Sequence, residues 1–219
     1  MRSRFEAIIF DMDGVLIDSE PLHFEVLNTV LATDGQALSR AENEEFIGTT
    51  TAVMWQTLIA RRGLGRSMGD YIELYDQTLL RLLLRPHSPQ PGVVPLVKRA
   101  RELGMRLGVA SSSKRLWIEA TLRSLGLADA FDAIVSGDDV QRGKPDPQIY
   151  LLAAEQVGIA PARCLAIEDA PKGVQSARAA GMTVLGVRTP YTAHLHLEGV
   201  DRVVDSLADL ELSGGALSV

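Results

Sequence analysis

From residue 91 onward the chain alternates short apolar runs with stretches of helical spacing, and this rhythm constrains the fold more than any other feature. Amphipathic stretches such as 116–125 and 149–157 lie between the apolar runs, and a glycine follows each. Repeated βα units of this kind form a parallel sheet. We therefore predict an α/β fold, a doubly wound parallel sheet. Its candidate strands are 7–10, 106–110, 133–135, 164–167, 183–187 and, with a weaker pattern, 202–204.

The stretch from about residue 20 to 87 breaks this rhythm, because it has helical spacing and no convincing strand. The apolar positions recur at intervals of three or four residues, which predicts apolar stripes on antiparallel helices. We predict an inserted helical cap at 17–87, with 1–16 and 88–219 forming the core. Such a module can act as a movable lid or as a fixed packing domain. The stripe positions are Leu22, Val26 and Val30, then Ile72, Tyr75, Leu79 and Leu82.

Composition excludes several classes of protein. The 219 residues are 46% hydrophobic and 23% charged, which is typical of a globular protein, and the net charge of -6 comes without a long charged run. Nothing therefore favours nucleic acid or an anionic membrane as a partner. There is no apolar stretch of the ~20 residues that a membrane span needs. Cys164 alone cannot form an intrachain disulfide and lies in an apolar run, so we expect a buried residue in a cytoplasmic protein. As a separate expectation, we predict a monomer.

Two carboxylates follow the first apolar run. Asp11 and Asp13 are two residues apart, so in an extended chain their side chains project to the same side, close enough to share a cation. Gly14 permits a sharp exit from the strand. The carboxyl ends of strands in open α/β sheets carry the active sites. The pair alone is equally consistent with a metal or phosphate site and with a solvated turn.

Three further polar groups follow later apolar runs, and their shared placement favours a site. Ser111 and Ser112 precede a helix and could bind a phosphate, or Ser111 could be an N-cap. Lys144 lies in a loop between Gly143 and Pro145 and could meet a phosphoryl oxygen, although a loop lysine is usually solvated. The third group follows 164–167 and offers hard oxygen ligands for Mg²⁺, or simply starts a helix: Glu168 and Asp169.

The order of these groups along the chain resembles the four motifs of the haloacid dehalogenase superfamily. The matching segments are Asp-Met-Asp-Gly-Val at 11–15, Ser111, Lys144 in Gly-Lys-Pro-Asp-Pro, and Glu168-Asp169. The resemblance spans nearly the whole chain. The helical insert after the first motif resembles the cap of the β-phosphoglucomutase and sugar-phosphate phosphatase branch. The resemblance implies a phosphoric monoester hydrolase that acts on small phosphorylated metabolites.

The resemblance also implies residue roles. Asp11 would attack phosphorus and form an aspartyl-phosphate, and Asp13 would act as general acid and then general base. Mg²⁺ would be held by Asp11, the backbone carbonyl of Asp13 and Asp169, with Glu168 ligating directly or through water. The transferring oxygens would be held by Lys144, Ser111 and backbone N–H groups near Met12 and Ser112.

Two other chemistries of the superfamily do not fit. Superfamily dehalogenases lack an aspartate two residues after the nucleophile, so Asp13 favours phosphate chemistry. Phosphonatase relatives use a cap lysine to form a Schiff base, and residues 20–85 contain no lysine.

The residues of the cap loop bear on whether the enzyme is a hydrolase or a mutase. The β-phosphoglucomutases place a lysine and an arginine around a cap glycine to bind a second phosphate, whereas Ile47 and Thr51 flank Gly48 here. Neutral side chains would retain a bisphosphate poorly, so hydrolysis is favoured and a phosphosugar mutase is the alternative. Arg61 and Arg62 could compensate, or could be a solvated helix end.

Four cap residues are candidates for substrate contact: Ser19, Gly48, Thr49 and Thr51. His23 matches a cap-hinge histidine of the branch and could position Asp13, or could be structural. A phospho-accepting receiver, a switching module without turnover, remains the alternative from another class. Receivers carry their acceptor aspartate on a central strand, and no isolated aspartate ends the strand before Ser111.

Overall fold

The computed structural model describes residues 5–46, 49–192, 195–213 and 216–218. The chain divides into two compact units, one formed by Met1–Asp18 with His87–Val219 and the other by Ser19–Pro86. The division therefore falls at 18/19 and 86/87, against the predicted boundaries at 16/17 and 87/88. Within the first unit the helices are α5 (Val93–Glu102), α6 (Arg115–Ser124), α7 (Gln148–Val157) and α8 (Pro171–Ala179), and α1 to α4 belong to the second.

The first unit is built on a six-stranded sheet in the order β3-β2-β1-β4-β5-β6, with every neighbouring pair parallel. β1 is therefore a central strand, and it is buried along its whole length. The predicted doubly wound α/β fold is confirmed. The strands are β1 (Ala7–Phe10), β2 (Arg106–Ala110), β3 (Ala133–Val135), β4 (Cys164–Glu168), β5 (Thr183–Val187) and β6 (Arg202–Val204).

Alternate side chains of β1 enter two different hydrophobic clusters. Ile8 and Phe10 pack in a cluster that includes apolar residues of α5 and α6. Ala7 and Ile9 pack in a cluster with apolar residues of α7 and α8. Because both faces are covered, the strands are apolar throughout rather than alternating with polar residues. The N–H of Asp11 donates to the carbonyl of Ile167 at 2.9 Å and so continues the β1–β4 ladder. The first residue after β1 is therefore held at the carboxyl-terminal end of the sheet.

The first unit also contains a hairpin that the sequence did not indicate, formed by β7 (Glu211–Ser213) and β8 (Ala216–Ser218). The guanidinium of Arg99 on α5 donates to the carbonyl of Leu212, which attaches the hairpin to this unit. In the part of the chain that the structure describes, no helix has the length and apolar composition needed to cross a membrane.

Among the described residues of the second unit, the helices α1 to α4 are the regular secondary structure, and loops connect them. Serine side chains cap α2 and α4 in reciprocal capping boxes with an acidic residue three positions later. The predicted stripe of α1 is buried, but Ile72 of α4 is only partly buried, and Tyr71 takes its place against Trp55 at 4.9 Å between ring centroids. The helices are α1 (Glu20–Ala32), α2 (Arg40–Glu44), α3 (Thr51–Arg62) and α4 (Met68–Leu82).

Candidate active site

Adjacent parallel strands bring three of the four sequence motifs to the carboxyl-terminal end of the sheet. Phe10 of β1 is in register with Val109 of β2 and with Ile167 of β4. Asp11 and Glu168 directly follow two of these positions and Ser111 lies two residues after the third, so the three emerge side by side. Asp11, Ser111 and Glu168 are all buried there, although each belongs to a different part of the sequence.

Lys144 joins these groups from the loop before α7. Its Nζ donates to Asp11 Oδ1 at 2.9 Å, to Glu168 Oε1 at 2.6 Å and to the carbonyl of Ala110 at 3.0 Å. An ammonium has three N–H donors, so all three are engaged. The side chain is only 8% exposed. The structure therefore excludes the alternative of a solvated loop lysine.

Three carboxylates form a compact acidic cluster beside this lysine. Asp11, Glu168 and Asp169 each offer an oxygen, and these oxygens lie within 4.8 Å of one another. All three residues are buried, which disfavours their ionised forms unless positive charge lies nearby. Hard oxygen ligands in this number and spacing fit a Mg²⁺ or similar divalent cation. The cluster could hold such an ion, with Lys144 supplying further positive charge.

The carboxylate of Asp13 is not one of the three in this cluster. Its Oδ2 instead accepts a hydrogen bond from Ser113 Oγ at 3.0 Å. The turn that carries it is closed by the N–H of Gly14, which donates to the carbonyl of Ile17 at 2.8 Å. A metal contact from the backbone carbonyl of Asp13 remains a prediction.

Burial and mutual repulsion dominate the electrostatics of the cluster. Burial raises the pKa of Asp11 to about 7, since the opposing attraction of Lys144 is offset by Glu168 and Asp13. Burial, with the charges of Asp11 and Glu168, raises the pKa of Asp169 to about 9. Burial acts to lower the pKa of Lys144, but Asp11 and Glu168 outweigh it and raise this pKa above its usual range. A divalent cation would favour the ionised carboxylates.

Two glycines make room for the acidic cluster. Gly14 has a φ of 77°, and a Cβ on it would overlap Asp169 Oδ2. A Cβ on Gly173, in the first turn of α8, would overlap the carboxylate of Glu168. The backbone amide of Asp169 also donates to Glu168 Oε2 at 3.2 Å. Both acidic side chains are therefore placed by backbone that approaches them without an intervening side chain.

Ser111, in the serine loop after β2, is not the N-cap of the helix that follows. The N-cap of α6 is Lys114, without a side-chain capping bond. Ser111 is buried, and its Oγ accepts from the N–H of Ser113 at 3.1 Å, whereas Ser112 is exposed. The structure places Ser113 at Asp13, a contact that sequence reasoning missed because the three serines are alike in sequence.

Tyr150 is a second residue that the sequence did not reveal. It is fully buried on α7, and its hydroxyl donates to Glu168 Oε1 at 2.6 Å. Burial, with the nearby charges of Glu168 and Asp11, raises the pKa of Tyr150 well above its usual range. The tyrosine lies six positions after Lys144 in an otherwise apolar helical face, and that pattern predicts only a core residue.

The predicted cap residues lie in the second unit. Ser19 is buried at the start of α1, and His23 Nδ1 lies 2.6 Å from the hydroxyl of Tyr75. Thr49 is exposed and donates to the carbonyl of Phe46, and Thr51 is the first residue of α3. Contact between these side chains and a substrate remains a prediction. Ile47 and Gly48 lie outside the described residues.

The two cap arginines are already paired within their own unit. Arg61 bonds to Glu45 at 2.6 Å, and Arg62 bonds to Glu42 at 2.5 Å. Arg62 also donates to the carbonyl of Ala37 at 2.7 Å. Any contact with a second phosphate would have to compete with these carboxylates.

Comparison with known proteins agrees with this geometry. The chain matches the model of the haloacid dehalogenase-like hydrolase family over residues 5–181. It is 32% identical over 177 residues to the phosphorylated carbohydrates phosphatase of Thermotoga maritima, covering 81% of this chain and 82% of that protein. It is 34% identical over 189 residues to the fructose-1-phosphate phosphatase YqaB of Escherichia coli, covering 86% of this chain and 99% of that protein.

A solved structure shows the same fold. A mutant of CbbY from Rhodobacter sphaeroides, in complex with xylulose-(1,5)bisphosphate, aligns with a TM-score of 0.85 and 30% identity, covering 96% of this chain and 98% of that one. The chain therefore belongs to the haloacid dehalogenase-like hydrolase family. The prediction of a phosphoric monoester hydrolase is confirmed, because the family is one of hydrolases and these two sequence relatives are phosphatases.

Proposed function

We propose that this protein is a Mg²⁺-dependent phosphatase of small phosphomonoesters, chiefly phosphorylated sugars or polyols, that works through an aspartyl-phosphate on Asp11. The observation that carries the proposal is the contact of Lys144 with both Asp11 and Glu168 at the edge of a three-carboxylate cluster. The proposed nucleophile, the candidate cation site and the proposed anion binder are then adjacent. Phosphoryl transfer depends mainly on such positioning and charge stabilisation.

Asp11 is the proposed nucleophile. Its carboxylate oxygen forms a bond to phosphorus while the bond from phosphorus to the ester oxygen breaks, and Asp13 protonates the departing alkoxide. Asp13, now a carboxylate, takes a proton from a water molecule as that water attacks the phosphorus of the aspartyl-phosphate. The second displacement breaks the acyl-phosphate bond and releases inorganic phosphate, with Asp11 restored.

Mg²⁺ would be held by Asp11, Asp169, Glu168 directly or through water, and the carbonyl of Asp13. When bound it would offset the charge of the carboxylates and of the phosphate dianion. Lys144 would release one of its present acceptors to donate to a phosphoryl oxygen, together with Ser111 and the backbone N–H groups near Met12 and Ser112. Each such donor contributes on the order of 3 kcal/mol to the transition state.

The substrate class rests on the relatives and on charge. The sequence relatives act on phosphorylated carbohydrates and fructose 1-phosphate. Hydrolysis is favoured over a mutase reaction because Arg61 and Arg62 are paired with Glu45 and Glu42, and Thr51 is neutral. The bisphosphate bound in the CbbY structure keeps the mutase as a second candidate.

A turnover assay tests the proposal. We expect EDTA-sensitive, sustained release of phosphate from p-nitrophenyl phosphate, and faster release from some members of a panel of sugar and polyol phosphates. Asp11→Asn should abolish nearly all of it. A single burst without turnover would favour a receiver-like module. Formation of glucose 6-phosphate from β-glucose 1-phosphate and trace bisphosphate, faster than release of phosphate, would favour the mutase.

A further inference from the structure

Tyr150 contacts the proposed catalytic charges with both its hydroxyl and its ring. The hydroxyl donates to Glu168 Oε1 at 2.6 Å, and Lys144 Nζ lies 5.1 Å from the ring centroid. We infer that Tyr150 is a positioning residue of this site: it fixes Glu168, and through Glu168 it holds the ammonium of Lys144 at Asp11. The inference rests on the proposed function and extends it to a residue outside the four motifs.

The hydrogen bonds of Glu168 support this role. Its Oε1 accepts from both Tyr150 and Lys144, and its Oε2 accepts from the backbone amide of Asp169. The terminal torsion of a glutamate is broad, so the hydrogen bonds to its oxygens set the orientation of the carboxylate. Tyr150 adds a second, fixed donor on the oxygen that Lys144 uses. Gly173 lets the backbone of α8 approach the same carboxylate closely.

The bonds of Lys144 show why this support would matter during the reaction. All three of its donors are used, by Asp11, Ala110 and Glu168. A phosphoryl oxygen must therefore take the place of one acceptor, and Asp11 is the acceptor whose charge is consumed in the reaction. Two acceptors then hold the ammonium, and Glu168 is the charged one. Because this change accompanies bond formation, loss of the Tyr150 hydroxyl should lower kcat more than it raises KM.

Burial of the Tyr150 hydroxyl also supports a positioning role. Tyr150 is fully buried within the apolar cluster of α7, where a phenylalanine would fill the same space without a polar atom to satisfy. A buried hydroxyl costs free energy unless it is hydrogen-bonded. Here its partner is a carboxylate that also binds the proposed catalytic lysine, so the bond links the helix core to the site.

The test compares Tyr150→Phe with Tyr71→Phe. Tyr71 is a matched control, because it is also fully buried and its hydroxyl also donates to a carboxylate, Asp34 Oδ2 at 3.0 Å, but it lies in the helical unit. Steady-state kinetics on p-nitrophenyl phosphate with Mg²⁺ should be measured well below the unfolding temperature of each variant. Loss of a hydrogen bond to a charged group predicts about a tenfold fall in kcat for Tyr150→Phe, with KM changed by less than about twofold.

The control and a rescue separate positioning from packing. Tyr71→Phe should keep the wild-type kcat, and p-aminophenylalanine at position 150, which restores a donor, should recover most of the lost rate. Wild-type kcat in Tyr150→Phe, or equal losses in both phenylalanine variants, would overturn the inference. If Tyr150→Phe does not fold, p-aminophenylalanine is compared with p-fluorophenylalanine at this position, and equal rates would overturn it.

The turnover of the wild-type protein is measured first, because it tests the proposed function separately from this inference. Its absence would remove the proposed function and this inference together, whereas an active wild type with an unaffected Tyr150→Phe would remove the inference alone.

Discussion

The carboxylate of Asp169 lies against the backbone of Gly14, so closely that a Cβ on Gly14 would overlap Asp169 Oδ2. The two residues belong to the first and last motifs of the chain. Gly14 also has a φ of 77°, which disfavours a side chain at this position. One glycine therefore sets both the turn after β1 and the position of a proposed metal ligand.

Gly14→Ala should damage activity more than stability alone explains. We expect about 2 kcal/mol of destabilisation from the left-handed backbone and the overlap. Displacement of Asp169 should also lower kcat/KM by about 100-fold, because misplacement of about 1 Å can have that effect. Chemical denaturation and steady-state kinetics measure the two effects.

Gly126→Ala is the matched control for this variant. Gly126 has a φ of 69° and no atom near the site of an added Cβ. It should show the backbone cost and retain normal kinetics. Equal activity losses in both variants would mean that the contact with Asp169 has no role in turnover.

Lys144→Met removes the only positive charge that the structure places in contact with both Asp11 and Glu168 among the described residues. We expect a fall in kcat of about 100-fold, since one preorganised donor contributes on that scale. Lys98→Met, at an exposed position of α5, should be unchanged. Phosphatase kinetics with both variants decide the point, and a Lys144→Met enzyme of normal kcat would remove the lysine from the mechanism.

Removal of divalent metal should make stability depend on pH in a specific direction. Asp11 and Asp169 have pKa values of about 7 and about 9 in the folded protein, above the ordinary aspartate value of 3.8. Between the ordinary value and the raised values, the folded state binds more protons than the unfolded state. In EDTA the free energy of unfolding should therefore fall as pH rises from about 4 to about 9. Mg²⁺ must displace those protons, so its stabilising effect should grow over the same range.

Urea unfolding at pH 5, 7 and 9, with EDTA or MgCl₂, measures both trends. The asparagine of Asp169→Asn cannot ionise, so this variant should lose the contribution of Asp169 to the pH dependence in EDTA, keep that of Asp11, and show a weaker effect of Mg²⁺. A Mg²⁺ effect that is unchanged in Asp169→Asn would contradict the proposed metal site.

Ser113→Ala should reduce turnover through Asp13. The Ser113 hydroxyl donates to Asp13 Oδ2, so its loss leaves the proposed acid and base less well oriented. We expect kcat to fall by about tenfold with little change in KM. Ser124→Ala removes a hydroxyl that donates to the carbonyl of Thr121 within its own helix, and should have wild-type kinetics. Steady-state kinetics on p-nitrophenyl phosphate compare the two.

The sheet could be predicted because its strands are buried on both faces. Runs such as 164–167 are apolar at every position, so they were visible without any knowledge of their neighbours. The hairpin of β7 and β8 was missed because each strand has three residues, too few for a periodic signal. Ile72 was assigned to the wrong face because Tyr71, its neighbour in sequence, stacks on Trp55.

The candidate site was predictable only where a motif places a charged group beside a strand end or in a tight loop before a helix. Asp11, Lys144, Glu168 and Asp169 carry that signal, and the structure brings all four together. Tyr150 carries none, because a tyrosine on a buried helical face is indistinguishable in sequence from a core residue. Its relation to Glu168 arises only when α7 packs against the face of the sheet from which it reaches the end of β4.

The most direct test of the account is to look for the phosphoryl group on Asp11. Wild-type protein mixed with Mg²⁺ and a phosphorylated substrate, quenched rapidly in acid and digested, should yield a peptide containing Asp11 that has gained one phosphoryl group by mass spectrometry. Asp11→Asn should yield no such peptide and almost no turnover. Sustained turnover by Asp11→Asn, or a phosphoryl group trapped on another residue, would contradict the central claim.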